Sequence, residues 1–277
     1  MINAIPSPFK QSASSGLMCL ILDSSFDPDL LHHLFRGEDK ANLNCIPLLI
    51  NTPYADLQKS GPYIVLCPAK SVSQEFAATL LEEKDAGCVA WLNSPALLDQ
   101  GIAHWRSLLT VRTDDEPQQM MRFYDPRWLE PLLLSFNEVE QAQFIGPFTA
   151  LAWRNEIGWR HCAKSPESLI TTIQPTAWLY LSPERQTLIE QGRLMVIATC
   201  FAEDYRDALP TEEPVTFVLR QLLAGKEMGY EQIADQERWL RLAISRGDSF
   251  WKRSPDAELL ARSDVALGDK LTQLESL

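Results

Sequence analysis

The chain has 277 residues, which is enough for one large domain or two smaller ones. Its hydrophobic content of 45% and charged content of 22% are ordinary for a globular protein. The net charge is −12, and residues 1–164 and 165–277 each carry −6. Since neither part is basic, the composition argues against binding to nucleic acid and to anionic membranes.

The six cysteines are scattered, without a C-x-x-C pair, and several lie in apolar runs such as YIVLC. This pattern is typical of buried, reduced thiols in a cytosolic protein. The first fifteen residues, MINAIPSPFKQSASS, lack the apolar core of a signal peptide, and no run approaches the 18 or so apolar residues of a membrane span. We therefore expect a cytoplasmic protein.

Three segments are predicted. Residues 1–16 are polar and rich in serine and proline, so we expect a flexible arm. Residues 17–164 alternate short apolar runs with helical patterns, which indicates an α/β (α+β) lobe with a mixed sheet flanked by helices. Residues 165–277 are expected to form a mainly helical lobe, in which Gly192 is a candidate break of the first helix.

Within the α/β lobe, the strands are predicted from apolar runs closed by polar or turn residues. They lie at 17–23, 46–50, 62–67, 88–93, 120–124 and 148–153, with 158–161 paired to the preceding run and 177–181 as the last β-like segment. Helical spacing of apolar residues predicts helices at 72–81 and 98–109. Ser94-Pro95 supplies a hydroxyl cap and a first-turn proline before the second of these helices.

Motifs for known chemistry are missing from the sequence. There is no H-E-x-x-H, P-loop, G-x-S-x-G or dinucleotide-binding fingerprint. His32 and His33 are adjacent, so a helix would direct them apart, and His161 has no second ligand pair nearby. Paired carboxylates such as Asp114-Asp115 lie in polar segments. We therefore predict no catalytic residue, metal or cofactor, and a protein that is not an enzyme.

The most informative segment is RFYDPRWLEPLLL, residues 122–134. Asp125 is placed as a carboxylate N-cap and Pro126 as the first residue of a helix. Arg122, Phe123 and Tyr124 are predicted to end a strand. Arg122, Asp125 and Arg127 then form a candidate salt-bridged cluster at a strand-to-helix junction.

This run, followed by QFIGPFTALAW at 143–153, resembles the signature of the domain-of-unknown-function 4123 family. GPYIVL at 61–66 and WLNSPALLDQGIAHWRSLL at 91–109 fit the same order, so the resemblance covers roughly residues 17–160. The resemblance implies an adaptor chaperone of bacterial type VI secretion, which binds an effector protein and helps to load it onto the VgrG spike. It assigns a scaffold role to the motif positions Gly61, Pro62, Arg122, Tyr124, Asp125, Pro126, Arg127, Gly146 and Pro147.

Two other functions stay open from the sequence. One is a hydrolase or transferase that uses a carboxylate such as Asp125, and the other is an immunity protein that covers the active site of a toxin. For the adaptor, we expect the effector's N-terminal region to bind in a groove between the two lobes. Trp239 and Trp251 are the candidate partner-binding residues, because large aromatics are common anchors at protein interfaces.

Overall fold

The structure is a computed structural model, and it describes residues 2–10, 16–36, 40–116, 118–155, 158–165 and 174–276. The chain divides into two compact units, Met1–Glu190 and Gln191–Leu277. The division therefore lies inside a helix, Pro183–Asp204. The α+β class with a helical C-terminal part is confirmed.

The first unit is built on a seven-stranded sheet with the order β1-β9-β8-β5-β2-β4-β3. Its strands are β1 (Ile2–Ala4), β2 (Leu17–Asp23), β3 (Asn44–Pro47), β4 (Pro62–Leu66), β5 (Gly87–Leu92), β8 (Ala150–Asn155) and β9 (Gly158–Ala163). Two short strands, β6 (Thr110–Val111) and β7 (Gln119–Met120), pair separately.

All pairings in this sheet are antiparallel, so the expectation of a mixed sheet was wrong in this respect. The reason lies in the strand order. A helix connects β4 to β5, an arrangement that suggests neighbouring parallel strands. In the structure β2 lies between β4 and β5 and runs antiparallel to both.

Helices cover both faces of the sheet. The first-unit helices are α1 (Leu30–Leu34), α2 (Val72–Glu83), α3 (Leu98–Leu108), α4 (Pro126–Leu134) and α5 (Glu138–Ile145), and α6 (Pro183–Asp204) begins there. Alternation along β2 shows the two layers: Cys19 and Ile21 pack with α3, α4 and α5, whereas Leu20 and Leu22 pack with α1 and α2. The strands are therefore apolar on both sides, as the sequence runs indicate.

The two edges of the sheet are finished differently. At one edge, β3 ends at Pro47, which has no N–H to offer to a further strand. The Arg106 side chain donates to the carbonyl oxygens of Leu48 (3.1 Å) and Pro47 (3.2 Å). At the other edge β1 covers β9, so residues 2–4 of the expected flexible arm are a strand, while residues 11–15 lie outside the described part of the chain.

Three further local predictions need correction. Residues 121–124 do not extend β7 but form a turn, closed by the bond from the Asp125 N–H to the Arg122 carbonyl (3.0 Å). The run at 177–181 contributes only an isolated bridge between Tyr180 and Arg112. Ser94 does cap a helical turn, but that turn is a 3-10 helix at Pro95–Leu97, which leads into α3.

The second unit is helical, as predicted, and contains α7 (Pro214–Glu227), α8 (Ile233–Arg246), α9 (Asp256–Ala261) and α10 (Leu267–Ser276). Gly192 does not interrupt α6, which runs for 22 residues. The core of this unit surrounds Trp239, Tyr230 and Phe250. Among the described residues, no helix is both long and apolar enough to cross a membrane.

Candidate functional site

The RFYDPR motif folds into a capped helix start. Asp125 is the N-cap of α4, and its Oδ1 accepts from the Arg127 N–H at 3.1 Å, while Pro126 is the first helical residue. The Arg127 side chain turns back onto the same carboxylate, with Nε 2.9 Å from Oδ1 and Nη2 2.6 Å from Oδ2. Asp125 is only 6% exposed and both of its oxygens are bound, so the predicted N-cap and helix start are confirmed, although a turn and not a strand precedes them.

Arg122 pairs elsewhere than the sequence suggested. Its Nη2 donates to the Asp23 carboxylate at the end of β2, and its guanidinium lies 5.9 Å from the centre of the Tyr124 ring. Burial lowers the pKa of Arg122, but Asp23, Tyr124 and Asp125 outweigh this and raise it. Burial raises the pKa of the Tyr124 phenol well above its usual range. At neutral pH the arginine is therefore charged and the tyrosine neutral.

A second carboxylate, Glu130, lies one turn further along α4 and is 7% exposed. It accepts from Asn155 Nδ2 at 2.8 Å and from Trp153 Nε1 at 3.4 Å. The Arg160 guanidinium completes its coordination, with Nη2 3.0 Å from Oε1. Glu130 thus ties α4 to the neighbouring strands β8 and β9.

These groups meet at one end of the sheet, where β2 and β8 finish and β4, β5 and β9 begin. Arg154 at the end of β8 adds a longer ion pair to Asp85, at 3.9 Å. The pKa of Arg127 is raised, mainly by its hydrogen bonds to Asp125. The negative charges of Asp125, Asp85 and Asp23 add to this effect. We call the following four carboxylates and four guanidinium groups the ion network: Asp23, Asp85, Asp125, Glu130, Arg122, Arg127, Arg154 and Arg160.

Gly61 and Pro62 reach the same end of the sheet. The Gly61 carbonyl accepts from the Ser24 hydroxyl (2.8 Å), directly after Asp23, and Pro62 lies opposite Asp23 in the β2–β4 register. A side chain at Gly61 would lie 2.6 Å from Leu49 Cδ1, which explains the glycine. Seven of the nine motif positions are therefore brought together.

Gly146 and Pro147 lie apart from this group, before the start of β8 at the other end of the sheet. Gly146 ends α5 with φ of 63°, and a Cβ there would lie 2.4 Å from His104 Nε2. That nitrogen lies 2.8 Å from the Phe144 carbonyl oxygen, and His104 is fully buried. Burial lowers the pKa of His104 to about 4, so the imidazole is neutral and donates this bond.

Chemically, the ion network is balanced in charge, and three of its carboxylates, Asp23, Asp125 and Glu130, accept hydrogen bonds from arginines. A general base needs a lone pair that a substrate can reach, whereas the oxygens of Asp125 accept three bonds from Arg127. Sequence reasoning missed Asp23, Asp85, Glu130, Arg154 and Arg160. The detectable signal was Glu130, a lone carboxylate inside the apolar run WLEPLLL, which indicates a buried cationic partner.

The two candidate partner-binding tryptophans differ in exposure. Trp239 is completely buried and stacks obliquely on Phe250, with ring centres 4.8 Å apart. Its side chain offers no surface, which argues against the direct partner contact expected of it. Trp251 is partly buried, with its ring centre 5.4 Å from that of Trp239, and its role at an interface stays a prediction.

Side chains that suit metal or thiol chemistry are not grouped. Within the described ranges, no three His, Cys, Asp or Glu residues are placed to hold a metal ion. The six cysteines are not joined in disulfides, and Cys19, Cys88 and Cys162 are buried. Burial raises the pKa of Cys19 and of Cys88 to about 12, so these thiols are protonated at neutral pH and poorly nucleophilic.

One comparison with known proteins gives a match. A family model described as Domain of unknown function (DUF4123) matches residues 19–143. The match supports the resemblance for this segment, which begins in β2 and ends in α5. It contains seven of the motif positions, and Gly146 and Pro147 lie beyond it. No curated protein and no solved structure matches the chain.

Proposed function

We propose that this protein is a bacterial adaptor chaperone of type VI secretion. It binds an effector protein, through the effector's N-terminal region, and helps to load it onto the VgrG spike in the cytoplasm of the producing cell. The observation that carries the proposal is the RFYDPR motif inside a segment that matches the domain family. The adaptor role itself is what the resemblance implies.

The geometry of the motif supports a structural role rather than catalysis. The arginines of the ion network are paired with carboxylates, and Asp125 and Glu130 are both buried. Such a network joins elements that are far apart in sequence, as Arg122 and Asp23 show. We therefore propose that the motif holds the sheet end together, that the protein is not an enzyme, and that partners bind elsewhere.

Exposed apolar side chains supply candidate contact points. Val139 is 65% exposed and Leu134 is 63% exposed, and they flank the turn between α4 and α5. Apolar side chains grouped at the surface are a mark of protein interaction sites. The net charge of −12 favours a partner segment that carries basic residues.

Co-expression tests the proposal directly. The tagged chain is produced with each effector and spike protein encoded by neighbouring reading frames, and complexes are isolated by affinity and size exclusion. We expect a stable complex with one effector that survives deletion of the effector's C-terminal toxin domain. Failure with all of these proteins would refute the adaptor role, and binding only to the toxin domain would indicate an immunity protein.

Surface variants then locate the interface. Leu134→Asp and Val139→Asp remove apolar contacts without touching the core, and Val72→Asp is a matched control on α2, where Val72 is 58% exposed. If the α4–α5 turn contacts the effector, the first two variants weaken the complex and the control does not. Thermal unfolding of each variant checks that the fold is kept.

A further inference from the structure

The N-terminal residues Ile2–Lys10, which we call the strap, lie on the edge of the sheet. β1 pairs antiparallel with β9, with Asn3 opposite His161, and the Ile5 N–H donates to the Trp159 carbonyl oxygen at 3.0 Å. The strap supplies the backbone partners on this side of β9. Without it, the outer edge of β9 would have open N–H and C=O groups.

The strap continues from the edge onto one face of the sheet. The Ser7 hydroxyl donates to Glu82 Oε1 at 2.7 Å, and the same oxygen lies 3.3 Å from Trp159 Nε1. The Phe9 ring meets the Trp159 ring edge-on, with centres 5.8 Å apart. Glu82 and Trp159 thus hold the Ser7 hydroxyl and the Phe9 ring of the strap.

The edge strand β1 is the shortest strand of the seven-stranded sheet. β1 has three residues, and Asn3 and Ala4 are exposed, whereas β9 pairs with β8 over six residues. Short, exposed segments are the first to open in a folded protein. The opposite edge is different, because Pro47 and Arg106 leave little room for a new strand on β3.

We propose that the outer edge of β9, with Trp159 and Glu82, is a binding site for an extended peptide segment of the effector, and that the strap is its resident occupant. The partner segment enters by strand exchange: it pairs with β9, places a hydroxyl at Glu82 and an aromatic ring on Trp159, and releases residues 2–10. Adding a strand to an exposed sheet edge is an established mode of peptide recognition. The identity of the partner rests on the proposed function, but the site does not.

The strap itself shows the chemistry that the site accepts. Its sequence, INAIPSPFK, combines the strand residues INA with a serine and a phenylalanine that each follow a proline. Because the strap belongs to the same chain, its binding to β9 is intramolecular and takes place at a high effective concentration. A partner segment must compete with the strap at this concentration, so weakly binding segments do not displace it.

The first experiment needs no effector. A fluorescent peptide of residues 2–10 is titrated into the intact chain and into a variant that lacks residues 1–10, with anisotropy as the readout. We expect the shortened variant to bind the peptide roughly tenfold or more tightly than the intact chain. A control peptide with Ile5→Pro and Phe9→Ala, which loses the bond to Trp159 and the ring contact, should bind at least tenfold more weakly.

Equal binding to both proteins, equal binding of the control peptide, or no binding to a folded shortened variant would each overturn the proposal. If the shortened variant does not fold, a protease site inserted after Lys10 is cut in the folded chain. Exchange of the cut strap for labelled peptide then supports the proposal, and a cut strap that does not exchange overturns it.

Hydrogen exchange on the effector complex tests whether the effector binds by replacing the strap on β9. Strand exchange predicts that the Ile5 amide loses protection when the effector binds, while the His161 amide stays protected. Continued protection of Ile5 in a stable complex would overturn entry at this edge and leave the adaptor role intact. Absence of any complex would refute the proposed function and leave the peptide result unaffected.

Discussion

Glu130 on α4 and Arg160 on β9 form a bidentate ion pair, with the arginine Nη2 3.0 Å from Oε1 and Nε 3.3 Å from Oε2. The pair lies largely out of solvent, since the side chains are 10% and 22% exposed. The same carboxylate also accepts from Asn155. A helix that starts at the family motif is thereby fixed to a strand 30 residues away.

Removing one partner of this pair leaves the other charge buried. We expect Glu130→Ala to lower the free energy of unfolding by about 3–5 kcal/mol, because Arg160 then loses its counter-charge in a water-poor environment. Glu130→Gln keeps the shape and should cost less. Urea unfolding followed by circular dichroism measures both, with the exposed Glu138→Ala as control; a loss below about 1 kcal/mol for Glu130→Ala would contradict the structural role.

Asp125→Asn separates a scaffold carboxylate from a catalytic one. The amide oxygen can still accept from the Arg127 N–H, but the charge opposite the guanidinium is lost, so we expect a loss of about 1 kcal/mol. Asp125→Ala also removes the cap and should cost about 2 kcal/mol. Effector binding by the folded variants should be unchanged, and an abolished complex with unchanged stability would show that Asp125 contacts the partner.

His104 makes stability depend on pH. Its pKa is about 4 in the folded chain, against about 6.5 when unfolded, so the unfolded state takes up the proton first as pH falls. The neutral His104 contributes about 3 kcal/mol to the free energy of unfolding. This contribution is complete above pH 6.5 and is lost as the pH falls from about 6.5 to 4. Burial also lowers the pKa of His161, which acts in the same direction.

The check is a series of urea titrations at stepped pH. His104→Gln keeps a donor for the Phe144 carbonyl and does not titrate, so the stability of this variant should fall less over the same range. The exposed His32→Gln is the matched control and should follow the unsubstituted chain. An unchanged slope in His104→Gln would contradict the assignment.

The two tryptophans of the second unit should separate folding from binding. Trp239→Ala opens a cavity among Tyr230 and Phe250 and should cost about 3–5 kcal/mol. Trp251→Ala removes a partly exposed ring and should cost less, so its effect on the effector complex can be measured in a folded protein. If the Trp251→Ala variant binds the effector with unchanged affinity, Trp251 is not part of the interface.

Contacts could be predicted from the sequence where the two residues lie close together along the chain, and not where they lie far apart. The Asp125 cap and Pro126 start are local, so they were predicted correctly. The partner of Arg122 was not, because Asp23 lies 99 residues away and only the strand order brings the two together. The prediction of a mixed sheet was wrong for the same reason, because β2 lies between two strands, β4 and β5, that are joined by a helix. The nine motif positions were predicted as one scaffold, but spacing could not show that Gly146 and Pro147 lie at the opposite end.

The unequal edges of the sheet also bear on stoichiometry. A sheet with two open edges can add strands at both sides and grow into chains of molecules. Here Pro47 and the Arg106 guanidinium obstruct the end of β3 at one edge of the seven-stranded sheet, whereas the short β1 covers β9 at the other edge. Because exchange at β9 releases one strand and admits one strand, this mode of binding takes one partner segment for each chain.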